Sequence, residues 1–194
     1  PVGGGTPVGG GTPVMVSTCA NPIPLAAGVT VNGTNVGAAN NQRFLNSNST
    51  CSPTLASSTA GEVIYSITVP PLSRLTVTLR AAFDSTLNIL ANAAACGPLD
   101  GPSTCLARAD EIGTGVVETA TVTTGSSGAS FLVAVDGYGA SDVGAFTITA
   151  LVAPIGPGET CAQAESVTLP LTRSAESTVG YTNDAVGSGF ACPS

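Results

Sequence analysis

The chain is 194 residues long, 43% hydrophobic but only 9% charged, with five Arg, twelve Asp and Glu, no His and a net charge of −7. The arginines, at positions 43, 74, 80, 108 and 173, are scattered, which excludes nucleic acid as a main partner because phosphate contacts need clustered cations. With neither His nor Lys, the usual bases for Ser and Cys nucleophiles and the amine of Schiff-base chemistry are missing, so only carboxylate catalysis is left.

Residues 1–17 open with a twice-repeated PVGGGT hexapeptide. Such Gly/Pro composition buries too little to order itself and reads as a flexible linker. In an ordered arm, Val14 and Val16 would instead lie along a neighbouring subunit. No signal peptide is visible and the chain begins at Pro1, so it reads as a processed form or fragment of an exported precursor.

From Cys19 to about Pro154 the apolar pattern alternates. Gly28–Val31 is a first strand candidate. Val63, Tyr65, Ile67 and Val69 alternate in the next segment, and Leu75, Val77 and Leu79 alternate with Arg74, Thr76, Thr78 and Arg80 in the one after it. Pro70-Pro71-Leu72-Ser73 makes the turn between these two. Leu87–Leu90, Val116–Thr123, Ser130–Asp136 and Ala145–Val152 follow, separated by short Gly, Ser, Asp and Pro clusters. No stretch holds a helical period. The spacing predicts an all-β fold, an antiparallel two-sheet sandwich over residues 18–153. Its expected core is Ile64 or Tyr65, with Ile67, Leu75, Val77, Leu79, Phe83, Leu87, Ile89, Phe131, Val133, Val135, Phe146 and Ile148. The longest apolar runs, such as Phe131–Val135, are of strand length and too short to span a membrane.

After a linker at 154–159 the chain restarts. Thr18-Cys19-Ala20 returns as Thr160-Cys161-Ala162, Val36-Gly37 as Val179-Gly180, and Cys51 as Cys192, at a nearly constant offset. Residues 160–194 therefore read as the first part of a second, incomplete repeat. A partial β-domain cannot bury its apolar face alone, so a partner would have to complete it. Six cysteines without paired zinc-type spacings predict disulfides, Cys19–Cys51, Cys96–Cys105 and Cys161–Cys192, the last repeating the first. That content places the protein outside the cytosol.

The acids offer two kinds of site. A glycosidase pair would be drawn from Asp84, Asp110, Glu111, Asp136 and Asp142, yet aromatic residues make up only 4% of the chain and Trp is absent, against the stacking that sugar clefts commonly use. Asp136-Gly137-Tyr138-Gly139-Ala140-Ser141-Asp142, with Asp84, would alternatively offer hard oxygens to calcium. The simpler expectation is that Asp84, Asp136 and Asp142 make side-chain-to-backbone turns, and that no cofactor is needed. Tyr65, Tyr138 and Tyr181 read as packing residues with hydroxyls at the rim. The Asn-rich stretch Asn40, Asn41, Asn46 and Asn48 reads as a loop tied down by the Cys19–Cys51 bridge.

The order of Cys19, Val36-Gly37 and Cys51, then Gly61-Glu62-Val63-Ile64-Tyr65-Ser66-Ile67-Thr68-Val69, Phe83-Asp84-Ser85-Thr86-Leu87, a close Cys pair, Val135-Asp136-Gly137-Tyr138 and Gly144-Ala145-Phe146-Thr147-Ile148-Thr149 resembles bacterial pre-peptidase C-terminal domains. It is most similar to the cysteine-containing kind found in tandem on exported proteins. The resemblance implies a jelly-roll-like β-sandwich without catalytic activity, accessory to a secreted peptidase or strung along a surface protein.

Two functions follow as expectations. In the first the domain is a structural or adhesive bead of an extracellular fibre and self-associates by strand complementation. The alternating Val167, Leu169 and Leu171, or Val14 and Val16, would supply the crossing strand, with Pro170 tolerated only at an edge. In the second it is a module that binds polysaccharide or protein, or accompanies a peptidase, within a larger exported protein. The 9% charge content favours the first, because few charges leave sheet edges weakly protected against pairing.

Overall fold

A computed structural model describes residues 17–42, 59–91, 96, 105–111, 113–156, 168–170 and 172. These form nine strands and no helix: β1 (Ile23–Pro24), β2 (Thr30–Thr34), β3 (Val63–Val69), β4 (Ser73–Ala81), β5 (Ser85–Leu90), β6 (Cys105–Ala109), β7 (Val117–Thr123), β8 (Ala129–Gly137) and β9 (Ala145–Pro154). One sheet has the order β1-β3-β8-β5-β6 and the other β2-β9-β4-β7. Neighbouring strands run antiparallel, apart from the two-residue parallel pairing of β1 with β3. The all-β two-sheet sandwich read from the alternation is the fold.

The alternation sets which side chains fill the interior. Tyr65, Ile67, Leu75, Val77, Leu79, Leu87, Ile89, Val133, Val135, Phe146 and Ile148 meet between the sheets, all buried. Tyr65 meets Phe146 edge to face at 6.4 Å and 85°. A β-carbon at Gly33 would stand 2.5 Å from the Phe146 ring and 2.8 Å from the Tyr65 hydroxyl. Glycine in β2 is thus what lets this edge strand close over the aromatic pair.

β3, β5 and β8 are buried on both faces, which explains why Ile64 and Tyr65 look equally apolar in the sequence. Tyr65 points to the core; Ile64 belongs to a second cluster on the outside of the five-stranded sheet, with Leu90, Cys105, Leu132 and Ala134. Cys19 and Cys96 pack on this cluster and are bonded to each other.

That bond corrects two expected pairings. Cys19 bonds Cys96, not Cys51, and Cys96 is therefore unavailable to Cys105, which is itself disulfide-bonded. Sequence proximity misleads because the topology sets distance. Cys19 precedes β1, which lies against β3, and Cys96 follows β5; β8 sits between β3 and β5, so the bridge crosses the outside of β8 and seals the second cluster. Cys51, Cys161 and Cys192 lie outside the described residues. Asn40 and Asn41 are held by protein groups: Asn40 Nδ2 donates to the Thr59 carbonyl at 2.8 Å, and the Asn41 N–H donates to the Glu62 carboxylate at 3.0 Å.

β1 and β6 escaped the pattern. β1 has two residues including Pro24, and β6 has a single large apolar side chain, Leu106, next to Cys105.

The Cys19–Cys96 bridge yields the first prediction. Replacing both cysteines by serine should lower the unfolding free energy by roughly 2–5 kcal/mol in denaturant titrations, the usual cost for a disulfide of a small secreted domain. Non-reducing peptide mapping should link the two peptides.

Candidate functional site

The acids singled out in the sequence are structural ties. The Gly113 N–H donates to Asp84 Oδ1 at 3.2 Å, the Gly139 N–H to Asp142 Oδ2 at 2.7 Å, and the Gly137 N–H to Asp136 Oδ1 at 2.7 Å. Of these only the Asp142 contact is the local turn expected of a short acid in a Gly-rich loop; Asp84 instead reaches a loop distant in sequence, and Asp136 bonds the next residue at the end of β8. Asp142 and Gly139 also close a backbone turn, Asp142 N–H to the Gly139 carbonyl at 2.8 Å. Among the described residues no group of three or more Cys, Asp or Glu comes together as a metal site. Asp84, Asp136 and Asp142 are not brought to one point.

Asn35, which the sequence reading passed over, does more for this region than any of them. It is fully buried, its Nδ2 donates to the Asp142 carbonyl at 3.2 Å, and its Oδ1 accepts the Gly144 N–H at 2.8 Å. Asn35 thus clasps the β8–β9 loop from the end of β2. The only sequence sign was an Asn-Val-Gly turn after a strand.

Two glutamates act in the same way. Glu62 accepts the Asn41 N–H with both oxygens at 3.0 Å, and Glu118 accepts the Glu111 N–H at 3.0 and 3.1 Å. Both are buried. Arg108 Nη2 donates to Asp110 Oδ2 at 2.7 Å, satisfying one more carboxylate.

On the outward face of the five-stranded sheet these groups stand in a row. Glu62 precedes the Val63–Val135 pair, Asp136 is opposite Thr86, and Asp110 follows the Ala109–Leu87 pair. Asp136 is fully buried, and its second oxygen, Oδ2, has no hydrogen-bond partner among the described residues. Burial pushes its pKa well above the ordinary carboxylate value, and the charge of Glu62 pushes it further, against the Gly137 N–H and Arg108. Burial likewise raises Glu62, Asp110 and Glu118, with Asp84 and Glu111 adding repulsion at the last two. Among the described residues these acids accept hydrogen bonds from protein groups at short range.

The edges of the sheets are a different matter. β1 has two residues and a proline, β2 five residues, and β6 carries Arg108. β7 is seven residues long and, among the described residues, pairs only with β4. It has no Pro and no Arg, and its single charge, Glu118, is buried against the core side. Thr119, Thr121 and Thr123 form its exposed row. Natural edge strands are usually blunted by charge, proline or a bulge, and β7 has none of these on its open side.

Of the residues expected to carry assembly, Leu169 is described and is 81% exposed. Val14, Val16, Val167 and Leu171 lie outside the described residues.

The raised acids fix a pH dependence. A carboxyl whose folded pKa lies above its unfolded value favours folding while protonated, and this contribution is lost as pH rises through the folded value. Stability should therefore increase on acidification from neutral pH toward the ordinary carboxylate range. Asp136→Asn should flatten that rise and add on the order of 1 kcal/mol at neutral pH, read as unfolding midpoints across pH. Midpoints in calcium and in chelator should coincide.

No family model matches the chain, and no curated protein does. Two solved structures are similar to it. One is PliG of Aeromonas hydrophila, a periplasmic inhibitor of g-type lysozyme, with 14% identity and a TM-score of 0.43, covering 72% of this chain and 98% of that one. The other is the pre-peptidase C-terminal domain of a Bacillus anthracis collagenase, with 9% identity and a TM-score of 0.38, covering 66% and 93%. A pre-peptidase C-terminal domain is thus among the similar structures, at a likeness too low to carry function.

Proposed function

We propose that the chain is a non-catalytic, exported β-sandwich module whose function is assembly: a structural or adhesive subunit that joins head to tail by strand complementation. The observation that carries this reading is the β7 edge, seven residues that among the described residues pair with β4 alone and point no charge outward. An extended segment of a second copy would add to it as a further strand, with main-chain hydrogen bonds giving affinity and the Thr row giving register. The donor is the N-terminal arm with Val14 and Val16, or the segment carrying Val167, Leu169 and Leu171. A contact between two different surfaces propagates into a filament unless it closes on itself. The Cys19–Cys96 bridge supports an oxidising compartment, and absence of His together with loop-bound acids supports a non-catalytic role.

Thr119→Lys combined with Thr121→Lys tests this directly. Both side chains are exposed, so the fold should survive with an unfolding free energy within about 0.5 kcal/mol of the parent. Sedimentation and electron microscopy should show the parent chain in filaments or oligomers and the double variant dispersed. An unchanged size distribution would refute β7 as the assembly edge.

A further inference from the structure

The outward face of the four-stranded sheet has a chemistry of its own, separate from the β7 edge. The registers place Thr30, Thr149, Thr78 and Thr119 in one row across β2, β9, β4 and β7. The next row is Asn32, Thr147, Arg80 and Val117. The hydroxyls of Thr30 and Thr149 are 2.8 Å apart, and Thr121 Oγ1 donates to Thr76 Oγ1 at 3.4 Å. At one end of this face, a groove of about 620 Å³ opens between Asn32, Thr34, Arg80 and Thr147, over the small side chains of Ala82 and Ala145.

Charge separates this face from the rest of the molecule. The chain carries −7 overall, yet the strand positions pointing outward here include Arg74 and Arg80 and no carboxylate. Glu118, the one acid in these four strands, is buried on the inward side. Arg80 is exposed in the groove and, among the described residues, makes no ion pair or hydrogen bond. An unpaired guanidinium beside an amide and two hydroxyls is a donor set for a carboxylate, which Arg binds through two parallel N–H groups.

We infer that this groove binds an acidic polysaccharide, a uronate-bearing chain, with Arg80 and Asn32 on a sugar carboxylate and the threonine row on successive sugar hydroxyls. The outward strand positions carry no aromatic side chain, and the Phe146 ring that borders the groove is buried in the core, so a neutral glycan has no exposed ring to stack on and the carboxylate supplies the recognition. Among the described residues its outward large apolar side chains are Val117 and Leu151 alone, which gives little to anchor an acidic peptide. A flat array of hydroxyls that continues from the groove across four strands suits an extended polymer. Because the contact is an exposed ion pair opposed by the net charge of the whole protein, the binding is weak per site and sensitive to salt.

Affinity electrophoresis of the purified chain in gels containing polygalacturonate, with dextran as the neutral control, reads the binding. Retardation by polygalacturonate alone is expected, weakened by added salt. Arg80→Gln should lower the apparent affinity about tenfold or more, and Asn32→Ala by less, with thermal unfolding unchanged. Absence of retardation, equal retardation by dextran, or an unaffected Arg80→Gln chain would overturn the site. So would an Arg80→Gln variant that keeps its retardation but loses oligomers in light scattering, which would assign Arg80 to a contact between copies.

Discussion

Everything in this molecule depends on the double burial of its central strands. β3, β8 and β5 are adjacent, and their side chains on one face form the core against the second sheet. A sandwich normally leaves the other face of each sheet wet. Here that face is apolar at Ile64, Leu90, Leu132 and Ala134, and it must be covered. Among the described residues Cys19, Ala91 and Cys96 pack on it, and the Cys19–Cys96 bond ties two of them together. The covalent link fixes these residues on the apolar face, adding to what packing alone supplies in a small domain.

The same constraint explains the buried acids. Where the outer row turns polar, at Glu62, Asp136, Thr86 and Asp110, the carboxylates lie under cover and accept from protein donors, Glu62 from the Asn41 amide, Asp136 from the Gly137 amide and Asp110 from the Arg108 guanidinium. Each such contact satisfies a donor, at the cost of desolvating a carboxyl that then holds its proton more tightly. Carboxylates used in this way are poor candidates for catalysis. They are better understood as pins that let Gly-rich loops remain ordered without helices.

The fold was legible where the period of two was clean. Leu75, Val77 and Leu79 alternate with Arg74, Thr76, Thr78 and Arg80, and every one of the expected core residues is buried. Strands buried on both faces were found by their length but not their orientation, as at Ile64 and Tyr65. The cysteine pairing was not legible, because residues close in sequence were preferred over residues that the strand order brings together across β8. The candidate surfaces were hidden for a further reason. An open edge is defined by which strand lacks a neighbour, and a groove at Arg80 by which rows align across four strands. Neither the threonine of Thr76-Val77-Thr78 nor that of Thr147-Ile148-Thr149 says anything of the other until the register joins β4 to β9.

The two faces of the four-stranded sheet thus divide the work, the inner one building the core and the outer one exposing hydroxyls and arginine, while its β7 edge offers backbone. The central claim is that β7 pairs with another chain. Hydrogen exchange of the β7 amides as a function of protein concentration measures this most directly, because an open edge exchanges quickly and an added strand protects it. The account predicts that the outward-pointing amides of Val117–Thr123 gain protection as concentration rises, while those of β4 and β9 stay protected throughout. Exchange in β7 that is fast and independent of concentration would contradict it.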